Sequence, residues 1–494
     1  MRNQRWVLVV AAAASFMVSL DALVVTTALP TIRHELGASL SSLEWTVNAY
    51  TLSFAVLLMS AAALGDRYGR RRMFSFGVTL FGAASIGCAL APSAGLLIAA
   101  RAAQGAGAAF VLPLALALLG GAFAPSERPR ALGIFAAAAG SAVALGPPFG
   151  GAVVQGISWP WIFWLNLPLT AVLITIARAS LDEQYGPRAA LDARGLGVVT
   201  AAAFALVWGL VRGNAAGWGS LEVVGALAAG IVLAVAFVRV ELRVREPMLP
   251  MTLFHARPFA AGNAAMFCLW GSGLGGLFFI AQLLQNGLGY GPLDAGLRLM
   301  PWGASTILVP ALAGRLINRY GERPFITGGM ALHAAAFAWI ALAARAGMPY
   351  WELVPALVLS GAGFAMASPA TQSAVLTSIA IEQVGKASGA LSMIRQLGGA
   401  FGVAVQVAVF AAAGSYASIH TFINGVRPAL GACATLALLG ATAGTTLRAR
   451  RPAAVAPSAP ASRGASPSAS SSAPSPTSAA SLATWTSSES CRAP

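Results

Sequence analysis

Only one of the 31 basic residues in this 494-residue sequence is a lysine, Lys386. Acids are fewer, 16 in all, and the formal net charge is +15. Charged residues together make up 10%, whereas a soluble protein carries about 25%. That scarcity excludes an ordinary water-facing surface and requires most of the exterior to lie in lipid. A pI near 11.0 is also a trait of nucleic-acid binders. Arginines gathered in the cytoplasmic loops of a membrane protein account for it better, so no nucleic-acid partner is expected. The lack of lysine, beside 54 glycines and abundant alanine, points to GC-rich coding and a bacterial source.

Cysteine is scarce too. Cys88, Cys268 and Cys433 lie singly in apolar runs, and Cys491 lies in a C-terminal tail. No pair has metal-ligand spacing, so the cysteines read as small hydrophobes and no metal site is expected. No GxxxxGK[ST] loop is present, which argues against ATP use. No hydrolytic constellation is visible either. The chain does not read as an enzyme, and no cofactor is expected.

What the sequence does have is apolar length: 57% of residues are hydrophobic and the mean hydropathy is +0.74. At about 20 residues per membrane helix, fourteen spans can be marked. They begin near Trp6, Trp45, Phe74, Gly95, Ala131, Ile162, Gly195, Leu221, Phe259, Gly296, Phe325, Trp351, Ala390 and Arg427. The first follows Arg2 and Arg5 in the manner of a signal peptide, but the many later spans make it an uncleaved first helix. Loops on the N-terminal side hold 17 basic residues, from Arg67 to Lys386; the opposite side holds only Arg33, Arg212, Arg298, Arg345 and Arg427. Positive charge stays inside, so both termini are expected in the cytoplasm and the protein in the cell membrane.

The spans repeat. LGDRYGRRR, Leu64 to Arg72, puts five charges in nine residues and must be a loop at the membrane surface. A related run, GRLINRYGERP, follows at Gly314 to Pro324, with Leu316, Arg319, Tyr320 and Gly321 each 252 residues after Leu64, Arg67, Tyr68 and Gly69. QGAGAAFVLP at Gln104 to Pro113 resembles SGAGFAMASP at Ser360 to Pro369, at an offset of 256. Ala131 and Gly133 match Ala387 and Gly389 at the same offset. The expected organisation is a six-helix half (1–178), two inserted central spans (179–258) and a second six-helix half (259–447). A tail rich in Ser, Ala and Pro (448–494) is expected to be disordered.

Together these features resemble the major facilitator superfamily, in its branch of fourteen-span drug:proton antiporters, over about Leu8 to Leu447. The resemblance, rather than the periodicity, implies the fold: an all-α bundle of two six-helix halves that rock about a midplane site. LDALVVTTALP, Leu20 to Pro30, resembles the family's first-span signature, with Thr26 where the family usually has Asn. Asp21 is the only carboxylate that these boundaries place well inside a helix. An isolated intramembrane acid is functional by default; the plainer reading is an acid at the outer mouth that bonds helix ends. The resemblance makes Asp21 a candidate for proton or substrate binding. RAAQGAGAA resembles the motif carrying an intramembrane arginine, here Arg101, assigned to proton coupling with Gln104 one turn away. Snorkelling to the nearby surface is the alternative.

GSAVALGPPFGG, Gly140 to Gly151, resembles the antiporter signature, with Gly140, Gly146, Pro147, Gly150 and Gly151 in place. Glycines admit a close neighbour helix and the prolines bend the span, so a pivot and an export direction are implied. In the surface loop Asp66, Arg67, Gly69 and Arg70 are retained as gating residues, while Ala62 replaces the usual glycine and Asn318 replaces aspartate in the second copy. WPWIFWLNLP, Trp159 to Pro168, resembles a signature of the fourteen-span group, although its tryptophans also suit an interfacial belt. Arg395 either lines the cavity or snorkels to the cytoplasm. His333 and Glu352 are weaker candidates. The implied function is proton-driven export of an amphipathic small molecule by a monomer in the bilayer. An importer or exchanger of a defined solute, or a non-transporting sensor or scaffold, are the alternatives.

Overall fold

In lipid an unpaired backbone group costs several kcal/mol, so a chain this apolar must bond its backbone within helices or a closed barrel. This chain uses helices. The computed structural model describes residues 2–447 except 125–126, 187–191, 245–246, 248 and 380–382, and no strand occurs among the described residues. The expected tail at 448–494 lies outside them.

The helices run α1 (Arg2–Leu36), α2 (Leu40–Tyr68), α3 (Arg70–Ala89), α4 (Ala94–Ala122), α5 (Arg128–Gly156), the short α6 (Trp161–Trp164), α7 (Asn166–Ser180), α8 (Ala193–Ala216) and α9 (Leu221–Glu241). They continue as α10 (Arg257–Gln282), the short α11 (Pro292–Arg298), α12 (Met300–Tyr320), α13 (Arg323–Ala343), α14 (Val354–Thr377), α15 (Val384–Ala413) and α16 (Ile419–Thr445). A π-helical segment, Leu283–Gly287, extends α10. Thirteen crossings are long and apolar enough to span a membrane among the described residues, with α6 and α7 forming one, Trp161–Ser180. The span expected near Gly296 corresponds to α11 and α12; α12 has 21 residues and an internal Pro310.

Side-chain caps set several helix starts. The Ser39 hydroxyl accepts the Ser42 N–H, so α2 begins five residues before the expected Trp45. Ser93, Asp192 and Ser220 cap α4, α8 and α9 in the same way. Ser418 and Thr421 form a reciprocal capping box on α16. Each such cap contributes about 1 kcal/mol to its helix.

The duplication is visible in the packing. Gly105 of α4 lies against the Tyr50 carbonyl and the Ser53 hydroxyl of α2; Gly361 of α14 lies against the Trp302 carbonyl and the Ser305 hydroxyl of α12. Gly107 meets the Gly77 carbonyl where α4 crosses α3, and Gly363 meets the Gly329 carbonyl where α14 crosses α13. Both copies of the surface loop turn on a left-handed glycine, Gly69 (φ 108°) and Gly321 (φ 81°). In both copies an arginine lies over the next residue's ring: Arg67 over Tyr68 and Arg319 over Tyr320, each 5.4 Å from the centroid. α8 and α9 pack on each other, and α8 also rests on α2 and α15.

Candidate transport site

Five helices bring a polar network into the apolar interior of the α1–α7 bundle. α1 supplies Asp21, whose side chain is 1% exposed, and α4 supplies Arg101, equally buried. Arg101 Nη1 donates to Asp21 Oδ2 at 2.6 Å and to Gln104 Oε1 at 2.6 Å. Gln104 Nε2 and Asn166 Nδ2, the latter from α7, each donate to Asp21 Oδ1 at 2.8 Å. Ser85 of α3 accepts from Gln104 Nε2 at 2.8 Å. Arg101 Nε donates to the Thr46 carbonyl of α2 at 3.2 Å, and its guanidinium lies 4.2 Å from the Tyr50 ring centroid.

The sequence reading treated Asp21 and Arg101 apart. The structure makes them one buried ion pair and removes both plainer readings, because neither side chain reaches a membrane surface. Three donors address the carboxylate, and one of them is the Arg101 cation. Protonating Asp21 would leave the guanidinium without a counter-ion in a dry interior, and breaking such a pair costs about 3–5 kcal/mol.

Sequence reasoning missed Asn166, Ser85 and Tyr50 as members of this network. Asn166 was inside a quoted motif that was read for its tryptophans. A lone amide in an apolar run was the available signal. The interfacial-belt reading fails for Trp159, which is 3% exposed and donates to Glu35 Oε2 at 2.8 Å; Trp161, at 45% exposure, fits it.

Asp21 is not the only carboxylate inside a helix. Glu44 is 0% exposed. The early start of α2 carries it into the helix, whereas the expected boundary had left it in a loop. Asn48 Nδ2 reaches Glu44 Oε1 at 3.4 Å, and Oε2 has no partner among the described residues. No cation pairs with it there, so burial is compatible with the neutral acid rather than the carboxylate.

The α10–α16 bundle holds different chemistry. The Arg395 guanidinium lies 4.9 Å from the Trp270 ring centroid. Its Nε is buried without a partner among the described residues. His333 is fully buried, with Nδ1 2.9 Å from the Ser360 carbonyl. Glu352 instead forms a two-pronged pair with Arg345 at 2.7 and 2.8 Å near the start of α14. That pairing commits its carboxylate to a surface contact.

In the antiporter motif, Cβ atoms at Gly146 and Gly150 would press on Leu23, Val24 and Thr27 of α1, and one at Gly151 would meet the Pro292 carbonyl of α11. Gly296 of α11 meets the Pro147 carbonyl in return. The motif thus lets α5 nest between α1 and α11. The expected close approach fails at Gly140, where nothing lies within 4 Å of a Cβ position. In the surface loop Asp66 pairs with Arg70 at 2.8 Å, while Glu183 accepts the Arg71 backbone N–H at 2.8 Å. At the end of the bundle opposite the N-terminus, Arg33 lies 4.0 Å over the Tyr416 ring, Tyr416 donates to Gln282, and Gln285 donates to the Thr27 carbonyl at 3.0 Å. Burial pushes the Tyr416 phenol above its ordinary range, so it stays a donor.

The sequence matches the Major Facilitator Superfamily over residues 11–403. The chain belongs to that superfamily. Its members are membrane transporters, not enzymes. The chain is 34% identical over 409 residues to the tetracenomycin C resistance and export protein of Streptomyces glaucescens, covering 82% of this chain and 76% of that one. It is 35% identical over 413 residues to the multidrug resistance protein Stp of Mycobacterium tuberculosis, covering 83% and 76%. It is 36% identical over 409 residues to the cephamycin export protein CmcT of Amycolatopsis lactamdurans, covering 81% and 84%. Among solved structures, an auto-inhibited POT family peptide transporter superposes with a TM-score of 0.67 at 15% identity, over 90% of this chain and 96% of that one. The human organic anion transporter MFSD10 (TETRAN) superposes at 0.61 with 17% identity, over 89% and 99%. These two likenesses concern the superfamily fold alone.

Proposed function

We propose that this superfamily member is a proton-driven exporter of an antibiotic-like small molecule. The observation that carries the coupling is the buried Asp21–Arg101 pair with Gln104 and Asn166 on its oxygens. Export follows the printed roles of relatives at 33–36% identity, which include tetracenomycin C, cephamycin and multidrug exporters or resistance proteins. A proton arriving from outside neutralises Asp21 and releases Arg101. The rearrangement this demands moves the α1–α7 bundle (in 1–178) against the α10–α16 bundle (in 259–447), with residues 179–258 as the inserted pair. α5 pivots on its glycines, and the surface loop of Asp66, Arg67, Gly69 and Arg70 gates the cytoplasmic face. Both termini are cytoplasmic and the unit is a monomer. The contacts among Arg33, Tyr416, Gln282, Gln285 and Thr27 then close the outer end.

The test is efflux from energised vesicles, normalised to inserted protein. Asp21→Asn keeps the shape of the side chain and removes its titration. It should abolish uphill efflux driven by a pH gradient. Wild-type efflux by this variant would end the coupling role of Asp21.

A further inference from the structure

The main polar cluster of each bundle is built differently. In the first, both oxygens of Asp21, Nε and Nη1 of Arg101, and both side-chain polar atoms of Gln104 have partners. In the second, one cluster of ring and guanidinium nitrogens has none among the described residues: Arg395 Nε, Trp270 Nε1 and His333 Nε2; Arg298 Nε of α11, over the Tyr290 ring, lacks one too. The cluster is held together by aromatic contacts. Arg395 sits on Trp270, the Trp270 and Phe364 centroids are 5.4 Å apart, and Phe364 lies 5.9 Å from His333 and 6.2 Å from Trp302.

An unpaired buried donor or acceptor costs about 1–3 kcal/mol, and more if it is charged. Three such groups in one aromatic cluster are retained against that cost when a ligand completes them. Their types define the ligand. Arg395 forms no ion pair among the described residues, and it lies 11 residues into α15, about 16 Å along at 1.5 Å per residue. A cation so placed awaits an anion. Trp270 Nε1 is only a donor and asks for a second oxygen. His333 Nδ1 faces the Ser360 carbonyl at 2.9 Å and the Ser360 hydroxyl at 3.0 Å, which leaves Nε2 free to exchange a hydrogen bond with a ligand hydroxyl, a group that both donates and accepts. The walls, Trp270, Phe364 and Trp302, offer ring faces and edges that take flat π-systems.

The geometry points to a substrate site for flat aromatic anions: Arg395 pairs with the acidic group, Trp270 donates beside it, and His333 Nε2 hydrogen-bonds a ring hydroxyl. This rests on the export reading above and names its substrate class. It also divides labour, with proton exchange in the α1–α7 bundle and substrate charge read in the α10–α16 bundle.

Two dyes with one xanthene ring system and opposite charge test it: fluorescein, an anion, and rhodamine 6G, a cation. Each is titrated by fluorescence anisotropy onto the full chain in lipid nanodiscs, with no gradient. Fluorescein should bind more tightly. Arg395→Gln should weaken fluorescein about tenfold or more, the loss of a charge-assisted hydrogen bond, and leave rhodamine 6G unchanged or tighter. Trp270→Phe keeps a ring but loses the N–H, and should weaken fluorescein about two- to tenfold. Arg395→Lys retains the charge and should retain the preference for fluorescein, which keeps the test open if Arg395→Gln does not fold. Equal binding of both dyes by the wild type, or loss of both alike in Arg395→Gln, would overturn the proposal. Charge-selective binding without pH-driven efflux would sink the export reading and spare this one; efflux without charge preference would do the reverse.

Discussion

Single residues here differ mainly in whether their charge is answered. Asp21 and Arg101 answer each other, so removing either strands the other in a dry interior. Arg101→Ala should lower stability by about 3–5 kcal/mol, read as an earlier thermal transition in detergent. Glu44 has no cation among the described residues and sits buried beside Asn48. If it is held as the neutral acid, Glu44→Gln replaces it with a near-isostere of the same charge and should shift stability by less than about 1 kcal/mol. A Glu44→Gln loss as large as that of Arg101→Ala would show that Glu44 is ionised and paired.

At the scale of helices, α5 separates glycines that pack from a glycine that does not. A Cβ at Gly150 would stand 2.6 Å from Thr27 Oγ1 and 3.0 Å from the Val24 carbonyl, closer than atoms tolerate without a shift of α1. Gly150→Val should therefore reduce transport severely at normal membrane levels. Gly140→Ala meets open space and should leave transport unchanged, since alanine also favours helix by up to about 1 kcal/mol. Equal loss in both variants would mean that the motif acts through backbone flexibility rather than close packing. The sequence showed the glycine string but not its two partners, because α1 and α11 lie far from it along the chain.

For the whole molecule, the proposed orientation is open to direct measurement. In a background without native cysteines, a cysteine at exposed His255 should react with an impermeant maleimide only from the cytoplasmic side. One at exposed Ala346 should react only from outside. Outside labelling at position 255 would invert the topology. The span count and the duplication were legible from charge spacing and the paired motifs, and the packing repeats the duplication: Gly105 lies against Tyr50 as Gly361 lies against Trp302, and Gly107 meets Gly77 as Gly363 meets Gly329.

Composition alone determined that the chain lives in lipid, because too few charges exist to face water. Helices or a closed barrel followed, since lipid gives the backbone no water to bond, and the motif order, by resemblance, identified the superfamily and with it the helical bundle. Partnership was decided only in the fold. Asp21 and Arg101 are 80 positions apart, and whether they pair depends on how α1 crosses α4. The solitude of Arg395, the burial of Glu44 and the idle Gly140 are likewise properties of neighbours from distant segments. A sequence records which charges exist, but the energy of a charge in a membrane depends on what stands within a few ångströms of it, and only tertiary packing sets that distance.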